Sequence, residues 1–145
     1  MLAERKRLRH NLVMAKYWTG TQTKHRLQYH LVWIPKYRRR ILRGKIAARL
    51  RHLLYEACKM NDWWISETAI QDDHIHIVIQ ISPSDRLSDV VQTLKGGTSK
   101  VIRAEFPEID EFLWGDSFWA GGYFAETVGS VDEEVVRKYI ESQRK

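Results

Sequence analysis

Asp72-Asp73-His74-Ile75-His76-Ile77-Val78-Ile79-Gln80-Ile81 alternates in strict period two. Such alternation is the pattern of a β-strand with one buried face. Ile75, Ile77, Ile79 and Ile81 point to one side and require a core, while His74, His76, Val78 and Gln80 point to the other. Residues two apart in a strand stand about 6.5–7 Å apart on the same side of a sheet. Two imidazoles at that spacing can converge on one small ion or one phosphate. Exposed histidine pairs also occur without any ligand, so the pair needs support from the rest of the chain. Two features give it: no other titratable group is expected on that face, and a terminal amphipathic helix presents a tyrosine and an amide together.

The flanking sequence builds a sheet around this strand. Residues 26–34 read as a strand closed by Pro35, and Lys36-Tyr37-Arg38-Arg39-Arg40 as a basic turn around an aromatic ring. Ile46, Leu50, Leu53, Leu54 and Ala57 follow helical spacing over residues 44–61. Residues 63–70 form a second strand, and Gln71-Asp72-Asp73 turns it into the histidine strand as an antiparallel hairpin. Pro83 and Asp85 mark a helix start, with Leu87, Val90, Val91 and Leu94 as its buried stripe. Lys95-Gly96-Gly97-Thr98 is expected to interrupt that helix, which resumes over residues 100–106. The acidic stretch with Trp114 and Trp119 reads as loop, and residues 122–128 as a fourth strand. Ser130 with Glu133 is a capping box opening a last helix, on which Tyr139 and Gln143 share one face. The order βαββαβ followed by a helix predicts an α+β, ferredoxin-like or RRM-like sandwich: a four-stranded antiparallel sheet, helices on one face, histidines on the other.

Bulk properties bound the function. At 145 residues the chain is one domain with a real core, and its formal charge of +6 suits a polyanionic partner. Residues 104–136 carry nine acidic side chains and no Lys or Arg, so the positive excess lies in the first half. Residues 1–24 read as a basic N-terminal extension, a solvated arm or a clamp on backbone phosphates, ahead of a domain over 25–145. Cys58 is the only cysteine, which excludes an intrachain disulfide and a multi-cysteine zinc or iron–sulfur site. No apolar run has the length of a membrane span and no signal-peptide core follows Met1, so a cytoplasmic protein without membrane association is expected. The Arg-rich start imitates a transit peptide, but such starts are ordinary on nucleic-acid binders.

His74-Ile75-His76 with Tyr139-x-x-x-Gln143 resembles the single-tyrosine HUH transposases of small prokaryotic insertion sequences. Further matches are Tyr29-His30-Leu31-Val32-Trp33, Pro35-Lys36-Tyr37-Arg38, Leu94-Lys95-Gly96, and Gly122-Tyr123-Phe124 leading to Val128-Gly129. The similarity covers residues 25–145; the basic extension lies outside it. The resemblance implies that Tyr139 attacks a phosphodiester of single-stranded DNA at a hairpin-bearing element end, forming a 5′-phosphotyrosine and freeing a 3′-OH. It implies that His74, His76 and Gln143 hold a divalent cation, Mg²⁺ or Mn²⁺, and that no nucleotide cofactor is needed. It implies a homodimer with composite active sites, the tyrosine helix docking on its own or a partner's sheet about a hinge at Gly129.

Lys36, Arg38, Arg39, Arg40 and Lys95 are the expected phosphate contacts, with Tyr37 or a tryptophan for base stacking, although three consecutive arginines also describe a solvated turn. Taken from its helix alone, Tyr139 reads sooner as an aromatic packed beside Val135 and Val136, and only the joint pattern with Gln143 and the histidines reverses that. Tyr37 and Tyr123 are rival nucleophiles, and neither has a glutamine four residues on. Trp63 and Trp64 are expected to split across their strand, and most tryptophans to be core. Two other functions compete: a non-catalytic RRM-like single-stranded nucleic-acid binder, and a domesticated relative that processes hairpins without moving an element.

Overall fold

The isoleucine side of the histidine strand does form the centre of the protein. In the computed structural model, which describes residues 18–19, 24–25, 27–128 and 133–143, Ile75, Ile77 and Ile79 have no solvent exposure. Their strand, β5 (His74–Gln80), is flanked by β4 (Trp64–Gln71) and β3 (Gln28–Trp33), and β6 (Phe124–Thr127) pairs with β3 on its far side. The order β4-β5-β3-β6 is antiparallel throughout. Asp72-Asp73 turns β4 into β5 as expected, and a bulge between Ile65 and Glu67 shifts the register of β4. Two short strands, β1 (Trp18–Thr19) and β2 (Lys24–His25), pair separately as an antiparallel ladder.

Two helices cover the isoleucine face. α1 (Gly44–Met60) contributes Leu50, Leu54 and Cys58, and α2 (Leu87–Glu105) contributes Val90, Val91, Leu94 and Ile102, all in one core cluster with Leu31 and Trp33 of β3. Each fully buried isoleucine adds about 1.5–3 kcal/mol of transfer free energy. Cys58 is 2% exposed, and burial pushes its thiol up to about 12. Among the described residues no helix is long and apolar enough to cross a membrane.

Four local expectations are corrected. α2 runs through Gly96-Gly97 without a break. Leu94, Thr98 and Ile102 bury one stripe across the glycines, and the Thr98 hydroxyl donates to the Leu94 carbonyl at 2.7 Å. That shared burial outweighs the cost of two glycines, about 1 kcal/mol each relative to alanine. Asp85 does not cap α2: Arg86 precedes its first turn, and the Asp85 carboxylate instead accepts from the Ser82 amide and the Trp63 indole, both at 3.0 Å. The acidic stretch includes a 3₁₀ turn (Pro107–Ile109) and a short helix, α3 (Asp110–Leu113), because Ile109 and Leu113 bury against the core. β6 begins at Phe124, leaving Tyr123 just before it. The capping box at Ser130 lies outside the described residues.

A Cβ added at Gly96 would meet nothing within 4 Å. Gly96→Ala is therefore expected to raise the unfolding free energy by about 1 kcal/mol in urea titration. A loss of stability would mean that the glycine is needed for something other than the helix.

Candidate functional site

Antiparallel partners share a face, so the register defines the surface opposite the isoleucines. Phe124, Val32 and His76 form one row across β6, β3 and β5, and Glu126, His30 and Val78 form the next. This face is not bare. Val32, Val78, Gln28 and Gln80 are buried outside the main core cluster, and α4 (Glu133–Ser142) lies against β3.

Nor are the two histidines the only titratable groups there. His30 Nδ1 lies 2.7 Å from His76 Nε2, with ring centroids 5.0 Å apart. One of those nitrogens must carry the shared proton. Glu126 stands opposite His30, and its Oε1 is buried with no hydrogen-bond partner among the described residues. His74 Nδ1 donates to Asp73 Oδ1 at 2.9 Å, while Arg38 Nε donates to Asp73 Oδ2 at 2.8 Å. One carboxylate thus ties the basic turn after β3 to the first histidine. Burial works to raise the Asp73 carboxyl, but the His74 hydrogen bond and the Arg38 charge outweigh it and hold it below its ordinary range.

Among the side chains described on α4 and just after it, Tyr139, Ile140 and Gln143 are half-buried. The Tyr139 ring packs on Phe124 of the same chain, centroids 5.6 Å apart, which puts it on the histidine face. Phe124 and His76 are two strands apart, about 10 Å. Burial raises the Tyr139 phenol. Gln143 Nε2 donates to Ser142 Oγ at 3.5 Å, and Ser142 Oγ donates to the Tyr139 carbonyl at 2.7 Å. Gly129 lies outside the described residues.

The basic turn is spread over several partners. Tyr37 donates to Asp116 Oδ2 at 2.7 Å, which raises its phenol and lowers the Asp116 carboxyl. Lys36 approaches the same carboxylate at 3.9 Å, and Arg40 pairs with Asp72 at 3.5 Å. Arg39 lies over the Trp114 ring. Lys95 is elsewhere: its ammonium donates to the Ala120 and Gly122 carbonyls at 2.8 and 2.9 Å, and burial lowers its pKa. It fastens the segment leading into β6.

Residues 23–143 match the family model described as "Transposase IS200 like". The chain belongs to the IS200-like transposase family. The ISDra2 transposase TnpA of Deinococcus radiodurans is 32% identical over 119 residues, spanning 82% of this chain and 85% of that protein. The transposase of insertion sequence element IS200 from Salmonella typhimurium is 30% identical over 121 residues, 83% of this chain and 79% of that one. A crystal structure of a putative transposase from Deinococcus radiodurans superposes with a TM-score of 0.81 at 27% identity, covering 87% of this chain and 97% of that one. A REP-associated tyrosine transposase bound to a REP hairpin shares the fold, with a TM-score of 0.53 at 11% identity over 85% of this chain and 69% of that one. As an IS200-like transposase the chain is a DNA-binding enzyme of DNA cleavage and strand transfer.

Sequence reading missed His30, Asp73, Glu126 and the exposed Trp114. His30 carried a usable signal, since it shares parity with Val32, and Val32 pairs with His76 once β3 and β5 are antiparallel. Asp73 was hidden by its role in the turn. Because the folded Asp73 carboxyl is depressed, its stabilisation is complete above its ordinary value near 3.8 and disappears as pH falls through the lower folded value. Asp73→Asn is therefore expected to lower the thermal midpoint at pH 7. The gap from wild type should shrink below about pH 4. A gap independent of pH would assign the loss to packing.

Proposed function

We propose that this IS200-like transposase cleaves and rejoins single-stranded DNA at the hairpin-bearing ends of an insertion sequence, through a 5′-phosphotyrosine on Tyr139. The observation that carries the reading is the row Phe124–Val32–His76, with the Tyr139 ring against its first member. Nucleophile and imidazole pair then belong to one surface.

His74, His76 and Gln143 would hold Mg²⁺ or Mn²⁺: two imidazoles and a carboxamide suit a divalent ion, provided His76 ligates through Nδ1 or gives up the His30 hydrogen bond at Nε2. With Nδ1 bonded to Asp73, His74 keeps Nε2 free to ligate, the usual second-sphere arrangement for a metal-bound histidine. The Gln143 amide nitrogen is turned to Ser142, which leaves its carbonyl oxygen as a donor. Imidazole favours the softer Mn²⁺ on ligand grounds. When bound, the cation supplies Lewis-acid polarisation of the scissile phosphate.

In the reaction the Tyr139 oxygen bonds to phosphorus as the P–O3′ bond breaks. The phenol loses its proton and the departing 3′ oxygen gains one, so neither protons nor chemical energy are consumed overall. Ionising an ordinary phenol at pH 7 costs about 4 kcal/mol, and burial of Tyr139 adds to that. Attack therefore depends on charge stabilisation at the phosphate rather than on a preformed phenolate. Lys36, Tyr37 and residues 38–40 would lie along the DNA backbone and bases.

The gap between the strands of Phe124 and His76 supports a helix that must travel before it reacts. We include in the proposal a homodimer in which α4 of one chain completes the histidine surface of the other, turning at Gly129.

Mixing the protein with hairpin-bearing single-stranded DNA and Mn²⁺ should yield a covalent adduct on denaturing gels. Tyr139→Phe should abolish the adduct while DNA binding persists. Binding with no adduct in the wild type would instead favour a non-catalytic RRM-like module. An adduct surviving in Tyr139→Phe would move the nucleophile elsewhere.

A further inference from the structure

The turn after β3 and the loop after α3 meet in a cluster that supplies no group to the bond-breaking step. Three non-glycine residues there adopt left-handed backbone: Tyr37 with φ of 62°, Arg38 with 53° and Trp114 with 53°. Each such residue costs on the order of 1–2 kcal/mol. What the strained backbone assembles is a platform of rings and one guanidinium. The Tyr37 and Trp114 rings lie 5.3 Å apart, and the Arg39 guanidinium sits 4.6 Å from the Trp114 centroid. The hydrogen bond from Tyr37 to Asp116 anchors the platform from below. Trp114 is nevertheless 70% exposed, and nearby Phe112 is 51% exposed.

Two further observations indicate what this surface takes. Arg39 Nε is buried and has no hydrogen-bond partner among the described residues. A buried guanidinium N–H left unpaired is expensive, and an anionic oxygen relieves it best. Beside the platform runs a groove of about 710 Å³ lined by Tyr37, Arg39, Arg40, Arg43 and Phe112, with Glu108 as its one acidic wall. Arg38 and Arg40 are matched by Asp73 and Asp72. Among the described residues Arg39 and Arg43 have no carboxylate partner, so the groove stays cationic despite Glu108. A flat exposed indole next to an unmatched guanidinium suits one unit that joins a planar ring to an anion. A nucleotide of a single strand is that unit.

We propose that Trp114, Arg39 and Tyr37 form a nucleotide subsite. An unpaired base of the bound strand stacks on the Trp114 indole, and the phosphate beside it accepts a hydrogen bond from Arg39. The subsite rests on the DNA reading above and extends it. It fixes one unpaired nucleotide outside the histidine surface, and so helps choose which strand segment reaches that surface.

The test has two arms. Single-stranded oligonucleotides carrying 5-iodouracil at successive positions are irradiated with the wild-type protein, and cross-linked peptides are mapped by mass spectrometry. Attachment is expected at Trp114 or Tyr37 for one position of the strand. Dissociation constants from fluorescence anisotropy should rise roughly tenfold for Trp114→Ala, the loss typical of one stacked base. Arg39→Ala should weaken binding and also flatten its salt dependence, whereas Trp114→Ala should leave the salt slope unchanged. Arg39→Lys should not restore affinity, because an ammonium keeps the charge without the planar stack. Cross-links confined to other segments, with Trp114→Ala binding as tightly as wild type, would overturn the subsite and leave the DNA reading intact. Equal losses for duplex and single strand in Trp114→Ala would overturn it too. Failure of the wild type to bind any single strand would instead remove the DNA reading itself.

Discussion

β5 is hydrogen-bonded on both sides, so the side of the sheet that each of its residues faces is fixed by two registers at once. A slip of one residue would bring His74 and His76 under the helices and turn Ile75, Ile77 and Ile79 outward. That exchange would forfeit the burial of three isoleucines and would desolvate two imidazoles with no arranged partners. The face that the histidines occupy is thus decided by the hydrophobic core, while Asp73 and His30 contact their rings. Everything proposed for the histidines inherits its precision from that constraint.

Charge in this protein is arranged to position loops more than to add stability. The sequence divides into a basic first half and an acidic stretch after α2, and folding brings the two together. Asp116 receives Tyr37 and Lys36, and Glu105 at the end of α2 receives Arg49 of α1, while Asp110 pairs locally with Arg103. Ion pairs this exposed contribute little individually. The Asp116 contacts hold the turn after β3 against the loop after α3 in one geometry, and the Arg49–Glu105 pair ties α1 to α2. Asp73 extends the same framework from Arg38 to His74, so the basic turn and the histidine strand are mechanically continuous.

The strands and long helices were legible because each rests on one dominant period. Ile75 to Ile81 and the α1 stripe needed no tertiary information. Reading failed where a residue had two roles or where distant segments decided the outcome. Gly96-Gly97 looks like a break locally, yet Thr98 and Ile102 keep the helix intact by packing against elements far along the chain. Asp85 resembles a cap until Trp63, twenty-two residues earlier, takes its carboxylate. In the site, His74, His76, Tyr139 and Gln143 stood out by their motif. His30 and Glu126 did not, because their importance exists only once β3 lies between β5 and β6. Trp114 reads in the sequence only as part of a loop, and its exposed ring beside Tyr37 and Arg39 becomes visible only in the fold.

The buried thiol of α1 has a practical consequence. Held protonated through the whole physiological range, Cys58 cannot form the thiolate on which alkylating reagents and oxidants act. It reacts only when α1 lifts from the sheet. With no second cysteine in the chain, a thiol-specific dye becomes an intrinsic clock for that opening, readable on the native sequence without an introduced label.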